Sequence, residues 1–195
     1  NLSANPLDFL ERTAMDAQVS SQKIREVTKR YHSKVAYPQS QLGRGLQLIA
    51  QMIAGGLTSR VYYASQGGYD THSQQQGAHR NLLTDFSQAM DAFAKDLKEQ
   101  GNFSRVLVMT FSEFGRRVAE NASGGTDHGT AAPMYLIGER FRSNLIGEHP
   151  SLSDLDHGDL KYRIDFRSVY ATVLEQWLSV ASEPILGRKF PQIAI

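Results

Sequence analysis

Between Val61 and Phe111 the chain sets two apolar runs on either side of an amphipathic helix, and this order restricts the fold more than any other feature of the sequence. Val61-Tyr62-Tyr63-Ala64 reads as a strand. Leu82, Leu83, Phe86, Met90, Phe93 and Leu97 then recur at helical spacing, which predicts one apolar face along a helix from about Gly77 to Glu99, ended by Gly101. Arg105 to Phe111, with Val106, Leu107, Val108 and Met109 in succession, has the pattern of a strand buried on both faces of a parallel sheet. Strand, helix, strand predicts a βαβ crossover and hence an α/β domain.

The flanking segments extend this reading. Asn5-Pro6 fits an N-cap followed by proline at the first helical position, and Leu7, Leu10, Ala14, Ala17, Ile24, Val27 and Tyr31 continue a long helix with a break expected near Ser20-Ser21. Leu42, Leu46, Ile49 and Ile53 predict a second helix stopped by Gly55-Gly56. Met134 to Ile137 predicts a short strand, and Arg140 to Asp159 reads as irregular surface chain. Asp165 caps a last helix carrying Phe166, Val169, Tyr170, Val173, Leu174, Trp177 and Leu178 as its apolar stripe. Three strands are fewer than a free-standing doubly wound sheet uses, so residues 1–195 are expected to form a single α/β domain belonging to a larger sheet.

Composition narrows the function classes. With 41% apolar and 21% charged residues among 195, the chain can bury a sizeable core, and no apolar run reaches the roughly 18 to 20 residues of a membrane span. A formal net charge of +1, from acids and bases spread along the chain, leaves no electrostatic footprint for nucleic acid. The absence of cysteine excludes disulfides, thiolate metal sites and a cysteine nucleophile.

Three polar clusters carry the chemistry: Gly67-Gly68-Tyr69-Asp70-Thr71-His72-Ser73, Ser112-Glu113-Phe114-Gly115-Arg116-Arg117 and Gly124-Gly125-Thr126-Asp127-His128-Gly129. Two of them follow strand-like runs, and ligands in open α/β sheets collect at the carboxyl ends of strands. Asp70 and His72 offer a carboxylate and an imidazole to one ion, although Asp70 or Thr71 also reads as the cap of the next helix. Glu113, after the most apolar run, is the best-placed acid; the alternative is a loop salt bridge with Arg116 or Arg117. Those arginines match the geometry of a small anionic ester, phosphate or sulfate. Asp127 and His128 sit in a glycine-rich backbone that permits close approach to a ligand. Asp70, His72, Glu113, Asp127 and His128 together form a metal-ligand set whose hard oxygens and imidazoles suit zinc, manganese, magnesium or calcium, with no organic cofactor indicated. His79 falls on the first turn of the helix that follows and reads as a helix-surface residue, although that turn is within reach of the first cluster. Ser112 lacks a Gly-x-Ser-x-Gly elbow, which argues against a serine hydrolase.

In this order the clusters, with Asp165-Phe166-Arg167 and Leu174-Glu175-Gln176-Trp177-Leu178, resemble the bacterial family known as domain of unknown function 1501, within the alkaline phosphatase and sulfatase superfamily. The resemblance runs from about Leu42 to the C-terminus and implies a three-layer α/β/α sandwich, alkaline phosphatase-like and incomplete at its N-terminus. It also implies twin-arginine export, which places the mature protein in the periplasm or otherwise outside the cytoplasm. In metal-dependent members of the superfamily an aspartate, a histidine and a later histidine hold one ion, positions matched by Asp70, His72 and His128. The second ion usually takes an adjacent Asp-His pair, which here reads Glu113-Phe114, and the usual nucleophile has no counterpart before Asp70. The implied function is metal-dependent hydrolysis of phosphate or sulfate esters at a degenerate or single-metal site; the alternative is a non-catalytic binding or assembly protein that retains the fold. A ring at Phe114, standing where a ligand is usual, is expected to be buried beside the site.

Overall fold

A computed structural model describes residues 6–141 and 145–195. The Asn5 cap and Arg142 to Asn144 lie outside the described residues. The chain is mixed α/β and divides into two compact units, one of residues 1–70 and 77–106, the other of residues 71–76 and 107–195.

The first unit is helical. Helix α1 (Pro6–Thr28) runs unbroken through Ser20-Ser21, where Ser21 Oγ accepts from Arg25 one turn on at 3.1 Å, and it stops before Tyr31. Of its side chains Val27 alone is buried. Helix α2 (Gln41–Ala54) starts where the Ser40 hydroxyl accepts from the Gly43 N–H, 3.0 Å, and ends at Gly55, whose N–H donates to the Gln51 carbonyl. The predicted stripe Leu42, Leu46, Ile49 and Ile53 is buried, worth up to about 2 kcal/mol for each side chain withdrawn from water. Helix α3 (Gln75–Glu99) buries Ala89, Met90, Phe93 and Leu97, but Leu83 is exposed, so the apolar face is covered only over the C-terminal half.

Among the described residues of this unit, one charged side chain is buried in the core. Asp96 is fully buried and accepts from Tyr31 Oη at 2.6 Å, Tyr37 Oη at 2.8 Å and Gln100 Nε2 at 3.0 Å. A carboxylate in the last turn of a helix opposes the helix dipole and needs donors once water is excluded, and these three supply them. Burial, then the neighbouring Asp96, pushes the Tyr37 phenol well above its usual range.

The Val61–Ala64 segment is not a strand: it joins none of the three ladders among the described residues, and an apolar run outside a ladder remains coil however strong its local preference. The predicted run from Arg105 to Phe111 contracts, in the second unit, to β1 (Val108–Met109). Its partner is not a parallel strand across a crossover but β4 (Leu136–Ile137), antiparallel, with Val108 opposite Ile137. The sheets among the described residues are three antiparallel pairs, β1 with β4, β2 (Gly115–Glu120) with β3 (Thr126–Gly129), and β5 (Leu155–Asp156) with β6 (Asp159–Leu160). The last of these occupies chain expected to be irregular; its turn, with His157 and Gly158 both at positive φ, is a short-range hairpin signal. Helix α4 (Phe166–Thr172) begins where the Asp165 carboxylate accepts from the Arg167 N–H, 2.9 Å, then passes through a π-helical turn, Val173–Trp177, and α5 (Glu183–Leu186) follows. Of the predicted stripe Val169 and Val173 are buried, along with the neighbouring Ser168, Ala171 and Thr172, whereas Phe166 is exposed.

Candidate metal centre

The hairpin of β2 and β3 is the frame of the site. Gly115 pairs with Gly129 and Arg116 with His128, after which the register slips before Glu120 meets Thr126. The connecting loop is closed by Asn121: its Oδ1 accepts from the N–H groups of Ser123, 3.0 Å, and Gly125, 3.1 Å. Gly124, at φ +71°, completes the turn.

Segment 71–76 is laid along this loop by backbone bonds from Gln74 N–H to the Ser123 carbonyl and from Gln75 N–H to the Gly124 carbonyl, both 3.0 Å. Thr126 Oγ1 donates to Gln75 Oε1 at 2.8 Å, and Asn121 Nδ2 donates to the His72 carbonyl at 3.0 Å. The approach is so close that a Cβ on Gly125 would lie 2.5 Å from the carbonyl carbon and oxygen of His72. This is why glycine stands there.

The consequence is a cluster of imidazoles. The rings of His72 and His128 have centroids 4.9 Å apart, and Phe114 stacks on His128 at 3.8 Å with the planes 6° from parallel. Asp127 Oδ1 lies 3.6 Å from His72 Nδ1 and 3.4 Å from Asn121 Nδ2. Asp70 is peptide-bonded to segment 71–76. One ligand atom from each of Asp70, His72 and His128 lies within 4.8 Å of the other two, and all three residues are exposed. A carboxylate and two imidazoles without thiolate form a donor set for a divalent cation of the zinc, manganese or magnesium kind.

The other predicted site residues are placed differently. Asp127 stands beside His72 rather than in the ligand group, and Glu113 is exposed and outside it. Arg116 reaches back to the Thr126 carbonyl at 2.6 Å and lies over the Phe114 ring, 5.1 Å from its centroid. The Arg117 guanidinium is 3.3 Å from Asp159 on the β5–β6 hairpin. Phe114 is half-buried, held in its turn by the Ser112 hydroxyl donating to its carbonyl, 2.8 Å. His79 meets the Tyr69 ring edge-on at 6.0 Å and is not among the ligands. Asn121 and Gln75 are the residues that sequence reasoning passed over; the turn chemistry of Asn121 before Ser123-Gly124-Gly125 was the available signal.

No described helix is long and apolar enough to cross a membrane. Neither a curated protein nor a solved structure matches the chain significantly. A family model does match, over residues 5–184, and the chain therefore belongs to the family described as Protein of unknown function (DUF1501).

Proposed function

We propose that the protein is an exported member of the alkaline phosphatase and sulfatase superfamily, built on a three-layer α/β/α core, that holds a single divalent cation on Asp70, His72 and His128 and acts there on a small phosphate or sulfate ester. The observation that carries the reading is the meeting of these three ligand atoms, Asp70 and His72 from one stretch of chain and His128 from another, within 4.8 Å of one another. Three protein ligands leave coordination positions open, the arrangement of catalytic rather than structural metal sites. A divalent cation bound there supplies Lewis-acid polarisation of an ester oxygen and a lowered pKa for bound water. The chain's own contribution is to orient: Asp127 faces His72 Nδ1, and Phe114 fixes the plane of His128 by stacking. Arg116, opposite His128 on the hairpin, sets a guanidinium beside the same ring system.

A second reading, a binding or assembly protein without turnover, draws on Phe114. A ring that cannot ligate metal lies flat on His128, and Glu113 is outside the ligand group, so a second ion lacks its usual pair. Metal content of protein prepared without chelator, with turnover of chromogenic phosphate and sulfate esters, separates the two. One ion per chain with turnover, both lost in His128→Ala, is the expected result for the hydrolase. One ion without turnover selects the binding protein, and wild-type protein that takes up no divalent cation refutes the site.

A further inference from the structure

We infer that Asn121 is a positioning residue for the cation site, its one carboxamide setting both the backbone and the ring nitrogen of His72. The inference rests on the cation reading above and extends it to a residue outside the ligand group. Four partners meet this side chain. On its oxygen side are the N–H groups of Ser123 and Gly125; on its nitrogen side are the His72 carbonyl, 3.0 Å, and Asp127 Oδ1, 3.4 Å. The oxygen half folds the β2–β3 loop, and the nitrogen half ties that loop to His72.

The ring is governed through Asp127. Asn121 Nδ2 donates to the same Asp127 oxygen that lies 3.6 Å from His72 Nδ1, so the amide holds the carboxylate in front of that nitrogen. A carboxylate facing Nδ1 favours the tautomer with its proton there, and leaves the lone pair on Nε2 for a cation. Asp127, read from the sequence as a ligand, acts in this arrangement as the orienting group of a carboxylate–histidine pair. His128, carried on β3 beside Asp127, receives its distance to His72 from the same loop.

Losing such an orienting partner typically weakens metal binding about 10- to 100-fold. Segment 71–76 keeps its two backbone bonds to Ser123 and Gly124 without the amide, so the effect of Asn121→Ala belongs at the lower end, about ten-fold. The test is Zn²⁺ titration of the full chain by calorimetry, together with imidazole ¹⁵N shifts of His72 in cation-free protein. Wild type is expected to show the Nδ1–H tautomer, and Asn121→Ala and Asp127→Asn a shift toward the Nε2–H form with weaker Zn²⁺ binding. Asn121→Asp keeps the acceptor for Ser123 and Gly125 but loses the donor. Its loop amides should stay protected from exchange while the His72 tautomer moves, an outcome that a purely structural loop role does not produce. Wild-type tautomer and Zn²⁺ affinity in Asn121→Ala overturn the inference. Wild type that binds no Zn²⁺ overturns the cation reading instead, and the ¹⁵N shifts of the cation-free variants still decide whether Asn121 sets the ring.

Discussion

Replacing Tyr37 with phenylalanine should cost more stability than any single hydroxyl elsewhere in the first unit. The phenol is 6% exposed and donates at 2.8 Å to Asp96, which is 0% exposed, so water cannot take the vacated place. Hydrogen bonds to a charged group are worth about 1.5–3 kcal/mol, and a buried acceptor left short of a donor falls within that range. For a chain of this length a loss of about 2 kcal/mol lowers Tm by roughly 4–8 °C. Tyr31→Phe removes a shorter bond, 2.6 Å, from a ring that is only half-buried, where water replaces the hydroxyl, so about 1 kcal/mol is expected. The double variant should lose more than the sum, because the carboxylate then keeps only Gln100. Urea denaturation of the four proteins measures all three differences. Two single variants as stable as wild type would refute the reasoning, since a carboxyl group sealed from water cannot lose its donors without cost.

Above pH ~10 the same network should destabilise the fold. Tyr37 is raised in the folded protein by burial and then by Asp96, so the folded state keeps a proton that the unfolded chain releases. Its contribution is complete below the unfolded phenol pKa and is lost as pH rises through the folded one. Unfolding free energies from urea denaturation should fall by about 1.4 kcal/mol per pH unit for this one group, with a shallower slope in Tyr37→Phe. At the candidate site, Gly125→Ala forces a methyl against the backbone of His72 and Ser73 and should cost about 1–3 kcal/mol, with weaker metal uptake. Gly67→Ala, whose added carbon meets no atom within 4 Å, should stay within about 0.5 kcal/mol of wild type by the same denaturation assay.

The helices were legible because their signals are local. Ser40 caps α2 and Gly55 ends it, Asp165 caps α4, and the stripe from Leu42 to Ile53 is buried as its spacing requires. In α1 the serine pair and the extension to Tyr31 misled, since neither the bonding habits of serine nor one more aromatic at helical spacing fixes where a ladder ends. Strands were another matter. Val61–Ala64 and Val108–Met109 have similar apolar character, yet the second joins a ladder, with β4, and the first joins none among the described residues, because a ladder is decided by what lies alongside and not by the run itself. The site divides the same way. Asp70, His72, Asp127 and His128 stand out in the sequence as ligand types in flexible backbone, and that much the residues themselves determined. Which of them bring ligand atoms to one place, why Asp127 lies beside His72 Nδ1, and how Asn121 reaches both depend on segment 71–76 lying along the 121–125 loop. The bond from Asn121 to His72 spans 49 positions of chain, and only tertiary structure closes a distance of that kind.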